Sequence, residues 1–232
     1  MIVDFPSVDT KIQTQARDQA LRALSHESTA EKVGKFYDPE SNFAGSTFTQ
    51  LGPRDSDAVT AVDLLATGTL SVTIPPRAVR RILEDAETQR ELSRLLSALP
   101  PVKLESTTPA DFASMCEFYD LVKASLARAD TASSNPWVTA SKITARKRPE
   151  LYPVRDRVVC KYLGIQNLND REKDWYVFRK LLRDQEIQGL LSELPDLARE
   201  AHEGTPLSIE AEPLRLLDAA LWRFGGDENR GM

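Results

Sequence analysis

Aliphatic residues recurring at the helical period set the tightest limit on what this chain can fold into. Val79, Ile82, Leu83 and Ala86, then Leu92, Leu95, Leu96 and Leu99, repeat at i, i+3, i+4, i+7 between two proline pairs. Pro75-Pro76 opens the run in the first-turn position that helices tolerate, and Pro100-Pro101 closes it, so the spacing predicts one long helix. The period returns in Phe112, Met115, Cys116, Tyr119, Val122 and Leu126 after Thr108-Pro109, and near the N-terminus in Ile12, Ala16, Ala20, Leu21 and Leu24. Two more helices are predicted over 174–194 and 213–224, with Trp175, Phe178 and Leu182, then Leu217, Leu221 and Phe224, on their apolar faces. Thr60 and Asp63 have capping-box spacing ahead of Val62, Leu64, Leu65, Ala66 and Leu70. Residues 36–54, rich in turn formers, read as an ordered loop or short hairpin that packs Phe36, Tyr37, Phe43 and Phe48, and Ser71 to Ile74 as a short β-branched piece. The fold class expected is mainly α: one helical domain over 1–224, divisible into lobes at 37–130 and 131–224, with a disordered tail at 225–232.

At 232 residues the chain can bury a core without disulfides or a structural metal, and 41% hydrophobic with 28% charged residues is the balance of a folded, water-exposed protein. Two cysteines cannot make a secreted framework: Cys116 reads as a core residue, Cys160 gives no paired metal spacing, and a reducing cytoplasmic setting is expected. His26 and His202 are the only histidines, which disfavours a His-rich metal centre or a Ser/His/Asp triad. No Gly-rich phosphate loop and no internal repeat is found, so neither cofactor nor metal is expected. No apolar run approaches the roughly 20 residues that span a bilayer, and the start MIVDFPSVDTK lacks the marks of an export signal, so no membrane partner is expected.

Charge is uneven. The net charge is -5, yet between 142 and 161 stand Lys142, Arg146, Lys147, Arg148, Arg155, Arg157 and Lys161 against Glu150 and Asp156, a local +5 that leaves -10 for the rest. Such a run either supplies phosphate contacts or is a helix face paired with acidic neighbours. It lies in Asn135 to Gly164, which reads as a helix opened by Asn135-Pro136, a link bracketed by Pro149 and Pro153, and a second helix opened by Asp156 and stopped at Gly164. An aspartate at a helix start among cations stays ionised and could stabilise an oxocarbenium-like sugar or position water; spacing by itself favours a helix-start acid paired with Arg148, Arg155 or Arg157. Asp218 and Trp222 share one face of the last helix, where a buried Asp218 would need a partner such as Arg146 or Arg148.

Pro153-Val154-Arg155-Asp156, followed by Val158-Val159 and Leu163-Gly164, resembles the second half of the signature of the helix-hairpin-helix DNA glycosylase superfamily. Where that family's hairpin has Gly-x-Gly, this chain has Ser134, Asn135 and Pro136; where bifunctional members carry a Schiff-base lysine it has Trp137, which is similar to the 3-methyladenine glycosylase branch. The resemblance implies a helix-hairpin-helix, glycosylase-like helical bundle with Asp156 catalytic, Trp137 and Tyr152 against the base, and Lys142, Arg146, Lys147, Arg148, Arg155 and Arg157 on phosphates. It implies DNA as partner and repair by monofunctional release of a base. Over most of the chain the sequence is similar to an uncharacterised actinobacterial family, a domain of unknown function, in the blocks Asp63 to Ala66, Leu70 to Pro76, Ala145 to Val159 and Leu214 to Trp222. A non-catalytic module binding nucleic acid or protein, and an enzyme acting on free nucleosides, are the other readings.

Overall fold

The computed structural model describes residues 4–127, 135–204 and 206–228, so Ser134 with its serine-rich turn, and the last four residues of the expected tail, lie outside the described residues. Among the described residues the chain forms twelve α-helices and one short 3-10 helix, with no strand. It divides into two compact units, one of residues 1–4 and 47–152, the other of 5–46 and 153–232.

The first unit holds the end of α3 (Gly45–Gln50), then α4 (Ala61–Thr69), α5 (Pro76–Glu84), α6 (Ala86–Ser97), a 3-10 helix at Leu104–Ser106, α7 (Pro109–Leu126) and α8 (Trp137–Lys147). α8 packs on α7 and α4, and α7 packs on α5 and α6. Leu92, Leu96, Leu104, Phe112, Met115, Phe118, Val122 and Ile143 fill its core. α4 and α7 each start with a reciprocal capping box, Thr60 with Asp63 and Thr108 with Asp111. α8 begins at Trp137, with Pro136 rather than Asn135 in the capping position.

The second unit holds α1 (Thr10–Ser25), α2 (Thr29–Tyr37), α9 (Arg157–Tyr162), α10 (Arg171–Leu182), α11 (Gln185–Glu200) and α12 (Pro213–Glu228). α12 is its axis, packed by α1, α2, α9 and α11, with Leu214, Leu217 and Leu221 fully buried, as are Val33 and Tyr37 of α2. Gly164, at φ +75°, ends the α9 segment, and a side chain there would strike Gln15 at 2.4 Å. Gly225 lies inside α12 because α9 passes so close that a Cβ would sit 2.9 Å from that of Tyr162.

Five expectations change. The long helix predicted between the proline pairs is two, because Asp85 turns extended (φ -81°, ψ 111°) and its carboxylate accepts the Thr88 N–H at 2.7 Å, starting a new helix. The helix over 174–194 breaks likewise at Asp184, which caps Glu186 and Ile187 at 3.1 and 3.2 Å. Residues 36–54 make no hairpin, since α2 runs to Tyr37 and α3 occupies 45–50, and Ser71 to Ile74 forms a turn and extended link, with Ser71 at φ 59°. Residues 225–228 of the expected tail belong instead to α12, which continues to Glu228.

Candidate functional site

Every residue from Thr139 to Lys147 is buried, although α8 carries three cations there. Helices enclosed on all sides are ordinarily apolar, and a buried cation is tolerable only when its donors are met. The Arg146 guanidinium donates to the carbonyls of Phe48 at 2.7 Å and Leu51 at 2.5 Å and reaches Asp63 Oδ1 at 3.4 Å. Lys147 Nζ donates to the Asp55 carbonyl, to that of Ala58 at 2.6 Å and to Asp63 Oδ2 at 2.9 Å, while Lys142 Nζ donates to the Leu70 carbonyl at 2.7 Å. Asp63 also accepts the N–H and hydroxyl of Thr60 at 2.9 and 3.0 Å. Arg148, partly exposed, bonds the Pro100 carbonyl at 2.6 Å and Glu150. The expectation of a phosphate-binding face is therefore corrected for Lys142, Arg146 and Lys147, whose head groups fasten the 48–70 segment from inside.

Of the two residues placed against a base, Tyr152 is fully buried in the first unit, its hydroxyl donating to the Met115 carbonyl at 2.9 Å. Closed in this way, Tyr152 is a core residue and lines no opening. Trp137 is half-buried at the start of α8, where its carbonyl accepts the Tyr119 hydroxyl at 3.1 Å. Along α4 of the same unit runs an apolar groove of about 410 Å³ lined by Leu64, Leu65, Ile74 and Val79, with Leu65 63% exposed.

The second unit starts its return segment at Pro153, and the three residues that follow are each held by a different bond. The Val154 N–H donates to Asp218 Oδ2 on α12 at 2.9 Å. Arg155 places Nε 2.8 Å from Asp174 Oδ2 on α10, with Nη2 on the same oxygen, so it too is an internal cation and not a phosphate contact. Asp156, 7% exposed, caps α9 by accepting the Val159 N–H at 2.9 Å on Oδ1. Arg157 points to solvent. Asp218 is paired on its own helix with Arg215 at 2.7 Å, in place of the Arg146 or Arg148 expected from sequence. The other oxygens, Asp174 Oδ1 and Asp218 Oδ1, are buried without a hydrogen bond.

Burial decides the charge state of this cluster. Desolvation lifts the Asp218 carboxyl to about 6, with the Asp156 charge adding to the rise and Arg215 and the Val154 N–H opposing it. Asp174 is lifted to about 6 by the same cause against the pull of Arg155. Burial also pushes the Cys160 thiol up to about 12, with the Asp174 charge next, so it is a poor nucleophile, and burial raises Tyr37. Chemically, the arrangement fixes one buried carboxylate, Asp156, at the start of α9 on a turn held from two helices. The sequence reading missed the part of Asp174, although it sits in register with Val177, Phe178 and Leu181: an acid on the buried face of a helix was the available signal. Among the described residues no three His, Cys, Asp or Glu side chains group as metal ligands, and no helix is long and apolar enough to cross a membrane.

A model of a family of unknown function, DUF6308, matches residues 29–225, and the chain belongs to that family. The match spans the four blocks on which the resemblance to an uncharacterised family was read. No curated protein and no solved structure matches the chain.

Proposed function

We propose that this member of the family is an N-glycoside hydrolase of the glycosylase kind, acting on the base–sugar bond of a nucleic acid with Asp156 as its carboxylate. The observation that supports this reading is the fixing of Val154, Arg155 and Asp156 by three separate bonds, two of them to buried acids that burial disfavours. A carboxylate so fixed can stabilise positive charge developing on the sugar or orient the attacking water, and Trp137, where the resemblance to bifunctional glycosylases calls for a lysine, would leave release of the base without a covalent lysine step.

A second reading, hydrolysis of free nucleosides, draws on the electrostatics. Among the described residues the buried charged ones are Lys142, Arg146, Lys147, Arg155, Arg215 and Arg223 against Asp63, Asp156, Asp174 and Asp218, a set that sums to +2 and leaves -7 of the net -5 for the rest of the chain. A polyanion meets a less favourable surface than the sequence suggests, whereas a nucleoside carries no phosphate.

Base release from single-stranded and duplex DNA bearing alkylated, deaminated or oxidised bases, and from free nucleosides, tests both readings in the wild type and Asp156→Asn. Release from DNA that falls at least 100-fold in the variant is the expected result, and release confined to nucleosides selects the second reading. No release from any of them overturns both and turns attention to a non-catalytic module, for which the groove along α4 is the surface to probe.

A further inference from the structure

We infer that Asp218 and Asp174 are positioning residues, which set the direction of the Asp156 carboxylate by gripping the two residues ahead of it. This rests on the hydrolase reading for its purpose and on geometry alone for its existence. Each acid uses one oxygen twice. Asp218 Oδ2 takes the Val154 N–H and the Arg215 Nη2, and Asp174 Oδ2 takes two nitrogens of Arg155. The turn is thus tied to α12 on one side and α10 on the other, while Asp156 is left to cap α9.

The alternative, that these acids simply neutralise two buried arginines, does not explain why Asp218 reaches past Arg215 to a backbone N–H 64 residues away. The Val154 N–H fixes chain direction directly, and the Arg155 guanidinium, brought through two nitrogens onto one buried Asp174 oxygen, adds a second tie through a side chain that this pairing holds in place. A carboxylate displaced by about 1 Å at a reacting centre loses on the order of 100-fold in rate, so a grip of this kind has a catalytic consequence.

The experiment pairs two readouts on the full chain. Amide hydrogen exchange at Val154 and Val159 is followed by NMR in the wild type, Asp218→Ala, Asp218→Asn and Asp174→Asn, beside single-turnover base release from the DNA substrates above. Asparagine at 218 keeps one carbonyl oxygen for the Val154 N–H and guards against a variant that fails to fold. The expected result is at least tenfold faster exchange at Val154 in Asp218→Ala, recovery in Asp218→Asn, and a base-release rate that falls tenfold or more with substrate affinity unchanged. Folded variants with wild-type exchange at both amides would overturn the grip, whatever the activity. Altered exchange with no base release from the wild type supports the grip and removes the hydrolase reading instead. Altered exchange with undiminished release overturns the positioning role.

Discussion

Asp63 joins two parts of the first unit: it closes the α4 capping box and receives both Arg146 and Lys147, at no exposure to solvent. Replacing it with alanine strands two buried cations, and removing one partner of a buried pair is destabilising by about 3–5 kcal/mol. Denaturant unfolding of Asp63→Ala is expected to show a loss of that size; a loss under 1 kcal/mol would mean that the carbonyl groups alone satisfy Arg146 and Lys147. Sequence spacing identified the Thr60–Asp63 cap but not its second duty, since the partners lie more than 80 positions away. The basic run misled for the same reason. Lys142, Arg146 and Lys147 read as surface charge because nothing local announces that the carbonyl groups of 48–70 will come to meet them. Asp156 was legible because both its cap and its proline-bracketed turn are local features.

Among elements, the helical period gave the right secondary structure and the wrong lengths. In both overlong helices the break falls in the pattern Leu-x-Asp-x-Glu-x-Gln, at Leu83 to Gln89 and again at Leu182 to Gln188. In each, the aspartate caps the new helix and the glutamine reaches back to the leucine carbonyl, Gln89 to Leu83 and Gln188 to Leu182, the latter at 2.7 Å. The period survives across such a corner, so apolar spacing alone cannot reveal it; the capping chemistry can. Asp85→Ala and Asp184→Ala are each expected to lower stability by about 1 kcal/mol in chemical denaturation. Asp184→Ala should show the larger loss, because that carboxylate also holds Arg17 at 2.7 Å. Equal losses would assign the Arg17 contact no net value, as is common for exposed pairs.

For the whole molecule, the two raised acids fix a sign for pH dependence. Asp174 and Asp218 titrate near 6 when folded and near 3.8 when free, so between those values the folded chain holds protons that the unfolded chain has released. Stability from these groups therefore falls as pH rises from about 4 to 6, by on the order of 2–3 kcal/mol each. The lowered acids Asp55, Asp85 and Asp184 work oppositely, their contribution being lost as pH falls through their folded values. Asp218→Asn is expected to flatten the decline between pH 4 and 6 in urea titrations; a slope identical to wild type would show that Asp218 ionises freely in the folded chain. Each unit, moreover, winds around a helix enclosed on every side, α8 in one and α12 in the other, each with charges inside.

For α8 this has a consequence in the order of folding. Its cations cannot leave water until oxygens from residues 84 to 98 positions earlier have arrived to receive Arg146 and Lys147. A helix of eleven residues is too short to persist alone, and this one cannot bury itself first and recruit its neighbours afterwards. Its docking and the ordering of the segment from Phe48 to Asp63 are one event, with the entropy of a long loop closed before any of its bonds form, so the unit acquires its centre late and all at once.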